Sequence, residues 1–171
     1  MREDVENPVF RLDMIIDDLT SRQLFDILRD QTQTNDWFPK CIQSKIIKSL
    51  KDGTEVFSTI FKAQAPLHNK EFIHKRDIQC DDEQALYMLN YSSLGLENIQ
   101  GKHSKKISTA YYNICGIILR RINEEKGTKM FSVMQIDLRD QVPEYLIKKS
   151  IPNFMIEYME KLVERARKVR D

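Results

Sequence analysis

The chain has 171 residues, 41% of them hydrophobic and 31% charged, with a formal net charge of +1. That length suits one domain with a sizeable core, and the balanced charge removes the electrostatic case for a nucleic-acid binder. No apolar run approaches the about 18 residues of a membrane-span candidate, and the polar, acidic start from Met1 to Pro8 is unlike a signal peptide.

Val9 to Ile16 is rich in strand formers and predicts a strand. Thr20 or Ser21 suits the N-cap of a short helix carrying Leu24, Phe25, Ile27 and Leu28. Gln31 to Asp36 reads as a polar loop ending at Trp37-Phe38-Pro39, where Pro39 restricts the backbone of Phe38. From Lys40 the period becomes two. Ile42 to Leu50 and Thr54 to Ala63 form a hairpin about Asp52-Gly53, because glycine accepts the positive φ of such a turn. Ala65 to Asn69 is a turn. Strands follow over Glu71 to Gln79 and Ala85 to Tyr91.

Ser92 to Asn113 is too long for an ordinary connection and contains the basic run Lys102-His103-Ser104-Lys105-Lys106, so it reads as a functional loop. Ile114 to Ile122 and Lys129 to Leu138 are strands around the turn Asn123 to Gly127. Pro143 to Val169 carries a sustained helical period. Leu146, Ile147, Ile151, Phe154, Met155, Tyr158, Leu162, Ala166 and Val169 fall on one face. Pro152 lies within it and is expected to kink or divide the helix.

Strands followed by one long helix indicate an α+β fold. A curved antiparallel sheet of six to seven strands wrapped on that helix would leave an apolar space between the layers, which is a helix-grip arrangement. The predicted single domain spans 1–171, with its core over about 9–169.

Several motifs in this order resemble the START family of lipid-transfer domains, related to the steroidogenic acute regulatory protein. They are Trp37-Phe38-Pro39, and the stretch Pro66-Leu67-His68-Asn69-Lys70-Glu71-Phe72-Ile73 with Arg76 after it. Lys70 and Glu71 replace the family's usual Arg and Asp. Gly127-Thr128-Lys129, Asp137-Leu138, Val142-Pro143 and Ile151-Pro152-Asn153-Phe154 resemble the phosphatidylcholine transfer protein branch in particular. There are three departures. The N-terminal helix and two further strands usual in the family have no room before Val9, which implies a shortened member or a fragment. Asp140-Gln141 stands where the family often has Gly. Ile78 occupies the position of a basic residue that contacts the lipid phosphate in the phosphatidylcholine carrier.

The resemblance implies a lipid cavity. Arg76 lies mid-strand between apolar neighbours and requires a partner if buried. In sterol-binding members an Arg at the matching position pairs with a Glu on the preceding strand, which makes Glu55 its candidate partner. Tyr91 could offer a hydroxyl to a ligand, and Met134 and Met155 could fit an irregular apolar cavity. Leu146, Ile147 and Ile151 are the expected cavity-facing part of the last helix, with Phe154 to Val169 anchoring it on the sheet. Lys102, Lys105 and Lys106 are the candidate membrane-facing gate.

Cys41, Cys80 and Cys115 are widely spaced, and His68, His74 and His103 bear no spacing relation to them. These residues point to reduced thiols and to no metal site. No cofactor is expected. Nor is a nucleophile with its base visible, which leaves a helix-grip cyclase or hydrolase as the rival reading and a bare scaffold as a third. The expected protein is a cytoplasmic, monomeric, non-enzymatic carrier of one phospholipid or sterol that touches membranes transiently.

Overall fold

The computed structural model describes residues 7–63, 67–99, 101, 106–123, 127–139 and 142–170. The elements follow in chain order as β1 (Phe10–Ile16), α1 (Ser21–Leu28), a 3-10 turn (Gln31–Gln33), α2 (Thr34–Trp37), β2 (Cys41–Ser49), β3 (Glu55–Phe61), β4 (Asn69–Asp81), β5 (Leu86–Ser92), β6 (Ile107–Arg121), β7 (Thr128–Asp137) and α3 (Glu144–Arg170).

Local chemistry accounts for most of the boundaries. Thr20 and Gln23 form a reciprocal capping box at the start of α1. The β2–β3 hairpin turns where Gly53 takes a φ of +85° and its N–H donates to the Leu50 carbonyl. The segment expected as a loop after α1 is instead two short helical turns. Asp30 caps the first by accepting from the Thr32 N–H, and buried Thr34 donates its hydroxyl to the Gln31 carbonyl at 2.8 Å. Elements of three or four residues are too short to show a period, so sidechain-to-backbone bonds define them.

The described strands form one seven-stranded sheet in the order β1-β7-β6-β5-β4-β3-β2. Adjacent strands are antiparallel, as expected. One further pairing is parallel: Asn69–Phe72 of β4 meets Ile107–Ala110 of β6. β5 is far shorter than either neighbour. Where β5 ends, β4 and β6 close directly onto each other, which narrows and curls that end of the sheet. This also corrects the expected loop: residues 107–113 belong to β6, and the connection it leaves is 93–106.

Paired residues share a face, so the register assigns the inner layer. Phe57, Thr59 and Phe61 on β3 face inward with Phe72, His74 and Arg76 on β4 and Tyr91 on β5. The main core lies between this layer, α1, the Trp37-Phe38 segment and α3. A small second cluster of Val56, Ile73 and Leu96, with Leu50 and Ile99 against it, covers the outer face.

α3 is one helix through Pro152, so the expected division does not occur. The helix persists because Ile151 and Met155 on either side of the proline are buried in the core. Its buried stripe is Ile151, Met155, Met159, Leu162, Val163 and Ala166. Val169, expected on that stripe, is 63% exposed beside a groove that it shares with Gln23, Asp26 and Trp37.

Candidate ligand cavity

Between the inner sheet face and the first half of α3 lies a cavity of about 110 Å³. Its apolar wall includes Phe61 and Phe72 from the sheet, Met134 and Ile136 from β7, and Ile147, Ile151 and Phe154 from α3. A second void of about 30 Å³ lies deeper, beside Tyr91, Cys115, Ile117, Met155, Tyr158 and Met159. Four side chains, Phe61, Tyr112, Met134 and Phe154, border both spaces. Side chains alone therefore separate the two voids.

The partition is aromatic. Phe72 stacks on Tyr112 with ring centroids 4.3 Å apart, and Phe61 meets Phe154 edge to face at 5.2 Å. Phe38 packs edge-on against Phe61, Phe154 and Tyr158, which ties the segment before β2 to α3. Such contacts add roughly 0.5–1.5 kcal/mol each beyond area burial. They are also hinged about side-chain torsions, so the partition can open without breaking the backbone.

The polar groups near the deep void are neutral at physiological pH. Burial raises the Tyr91, Tyr112 and Tyr158 hydroxyls above their ordinary range. Burial also pushes the Cys115 thiol up to about 12. The Tyr91 hydroxyl is buried without a hydrogen bond of ordinary geometry. The fully buried His74 is depressed to about 4, chiefly by desolvation. It stacks on Phe57 and meets Tyr112 edge-on, and so behaves as a neutral ring of the core.

Tyr91, Met134, Ile147, Ile151 and Met155 among the sequence-derived candidates line one void or the other. Leu146 is half-buried and borders neither. The expected boundary on α3 moves: Phe154, Met155, Tyr158 and Met159 also face cavity, so the anchoring part begins near Leu162.

Arg76 and Glu55 are not brought together. The Arg76 guanidinium donates to the Leu28 carbonyl at 2.8 Å and the Arg29 carbonyl at 2.6 Å. It also lies over the Phe57 ring at 5.3 Å. The last carbonyls of a helix lack intrahelical donors, so Arg76 serves as the C-terminal cap of α1. Glu55 is exposed at the start of β3, with no ion pair among the described residues. Neither residue borders a void.

Lys102 and Lys105 lie outside the described residues. Lys106 lies at the wide cavity's end of the sheet, where its carbonyl accepts from the Asn69 N–H beside Lys70. Sequence reasoning missed Lys40, Lys62, Lys70 and Lys149, all of which border the larger cavity. Lys70 stood inside the quoted motif, but nothing in a strand period reveals that it borders a void.

The START domain model matches residues 3–171, and the chain belongs to the START domain family. Its fold is similar to that of human StAR-related lipid transfer protein 5, with a TM-score of 0.81 at 15% identity over 95% of this chain and 77% of that one. Human STARD10 gives a TM-score of 0.76 at 18% identity, covering 94% of this chain and 66% of that chain. A StAR-related lipid transfer protein fragment from Xanthomonas axonopodis gives 0.72 at 13% identity, over 97% and 90%. No curated protein sequence matches the chain.

Proposed function

We propose that this START domain, acting as one unit over 1–171, holds a single lipid between its sheet and α3 and carries it between membranes. The observation that carries this reading is the apolar cavity, divided only by four movable side chains and open at the β3–β4 end. Both human relatives above and the bacterial fragment have this fold, and two of them are named lipid transfer proteins.

A cavity of about 110 Å³ is well below the roughly 300–1,000 Å³ of ordinary ligand pockets. Holding a lipid therefore requires this space to widen. Loading swings Phe61, Tyr112 and Phe154 aside and lets Met134 adapt, merging the two voids. Each Å² of lipid chain removed from water then returns about 25 cal/mol. The first half of α3, with Lys106 at the same end of the sheet, is the gate that loosens at a membrane.

The likeness to the phosphatidylcholine transfer protein branch favours a phospholipid over a sterol. Ile78, half-buried and packed against the core, offers no charge to a choline phosphate. The cyclase or hydrolase alternative is less well supported. The titratable residues bordering the two voids are lysines, tyrosines and Cys115, with no carboxylate or imidazole among the described lining. A carrier needs no acid–base pair. We place this monomeric carrier in the cytosol, in transient contact with membranes.

Incubating the purified chain with lipid vesicles, re-isolating it and recording its native mass tests the reading. One lipid per chain is the expected result. Failure to load any phospholipid or sterol would overturn it.

A further inference from the structure

We infer that the cavity selects lipids with an anionic head group over zwitterionic ones. This rests on the carrier reading and names its ligand class. Four lysines, Lys40, Lys62, Lys70 and Lys149, border the larger cavity, and no carboxylate borders it among the described residues. They come from separate elements: Lys40 precedes β2, Lys62 follows β3, Lys70 lies on β4 and Lys149 on α3. The fold therefore gathers them at one mouth.

Their counter-charges differ. Lys40 pairs with Glu157 of α3, so much of its charge is spent. Lys70 is only 5% exposed and donates to the Ser108 hydroxyl at 2.7 Å, with a longer bond to the Leu138 carbonyl. Lys62 and Lys149 are exposed at the rim and have no ion pair among the described residues. The neighbouring Lys148, by contrast, is offset by Glu144, and Arg139 by Asp137. Ser150 and Asn153 add neutral donors on the same wall.

An anionic amphiphile satisfies this arrangement at both ends. Its chains fill the apolar interior between Phe61 and Ile151. Its phosphate or carboxylate meets Lys62 and Lys149 at the mouth. A choline head would bring its own cation to the same lysines and lose that gain.

The test loads the whole chain from vesicles containing equal amounts of phosphatidylcholine and phosphatidylglycerol with identical acyl chains. Native mass spectrometry then counts each bound species. Both lipids come from one surface, so the bound ratio reports the cavity rather than vesicle docking. Phosphatidylglycerol should exceed phosphatidylcholine by about tenfold at low salt. In the double variant Lys62→Gln/Lys149→Gln the ratio should fall toward one through lost phosphatidylglycerol, with the fold kept, since both side chains are exposed.

An equal ratio in the unaltered protein would overturn the selectivity yet leave the carrier reading standing. A preference unchanged in the double variant would overturn the role of these lysines. No loading of either lipid would end the carrier reading and this inference with it. Glycerol phosphate without acyl chains, at the same concentration, should not compete. Full competition would make the mouth a free-phosphate site and overturn the lipid assignment.

Discussion

The two halves of α3 make opposite use of one apolar stripe. From Ile147 to Met159 the stripe faces two voids and a partition of movable rings. From Leu162 to Ala166 it is buried against α1 and β1, and of its buried residues there only Ala166 borders a groove, of about 320 Å³, beside Ile27 and Trp37. Leu162 has no exposed surface, whereas Phe154 is only half-buried. The helix thus has a fixed end and an end that can yield. A side chain beside a void forfeits contacts already, so its half of the helix is the cheaper one to displace.

Truncation at each end gives the largest expected contrast. Leu162→Ala should cost about 4 kcal/mol, because a tightly packed site leaves a cavity that does not collapse. Ile151→Ala, beside the larger cavity, should cost about 2 kcal/mol, near the lower end for such changes. Urea titration would measure both. Lipid loading should persist in Leu162→Ala below its unfolding range and change in Ile151→Ala. Equal destabilisation would break the distinction between the two halves.

The layer beneath the cavity half carries the next effect. His74 is held at about 4 in the folded chain against 6.5 in the unfolded one. The unfolded chain therefore binds more protons between those values, and stability falls as pH drops through that window. It is fully present above pH 6.5 and its loss is complete below about 4, amounting to about 3 kcal/mol at most. His74→Gln should remove this part of the slope in denaturation curves at pH 7 and 4.5. An unchanged slope would mean that His74 is not the group responsible.

Arg76→Leu comes next, at about 2 kcal/mol, because it strips the cap from α1 and leaves two carbonyls without their charged donor. Since α1 supports the fixed end of α3, thermal stability should fall while the loading of surviving folded protein stays level. Loading lost ahead of stability would restore Arg76 to the ligand site.

These residues also show where sequence reasoning reached its limit. The strands, the Gly53 hairpin, an N-cap at Thr20 or Ser21 and the long amphipathic helix were legible because each rests on local chemistry or a sustained period. The α2 segment and the start of β6 were not. The first is too short to have a period, and the second is paired to β4 by the ending of β5. The candidates Tyr91, Met134, Ile147, Ile151 and Met155 were recoverable as inward-facing residues of strands or helix. The role of Arg76 was not, because no strand pattern says that the end of α1 lands on it. The same holds for the lysine mouth, whose members lie up to 109 positions apart in sequence, from Lys40 to Lys149.

The smallest effect belongs to the outermost turn of the fixed end. Asp18, in the connection after β1, accepts from Arg167 at 2.8 and 2.9 Å and from Arg170 at 3.2 Å. The Arg167 side chain is the main reason its carboxyl is held well below the usual carboxylate range. All three side chains are partly exposed, so water and salt screen most of the gain. The contribution is present above the ordinary aspartate value near pH 3.9 and is lost as pH falls through the lowered one. Asp18→Asn should therefore fray only the last turns of α3, seen as faster amide exchange beyond Ala166, with little change in global unfolding. The difference from the unaltered chain should shrink in about 1 M salt, where the Debye length is near 3 Å. If Asp18→Asn instead loosened Ile147 to Phe154, the two ends of α3 would be coupled, and the gate would be controlled from the far end of the helix.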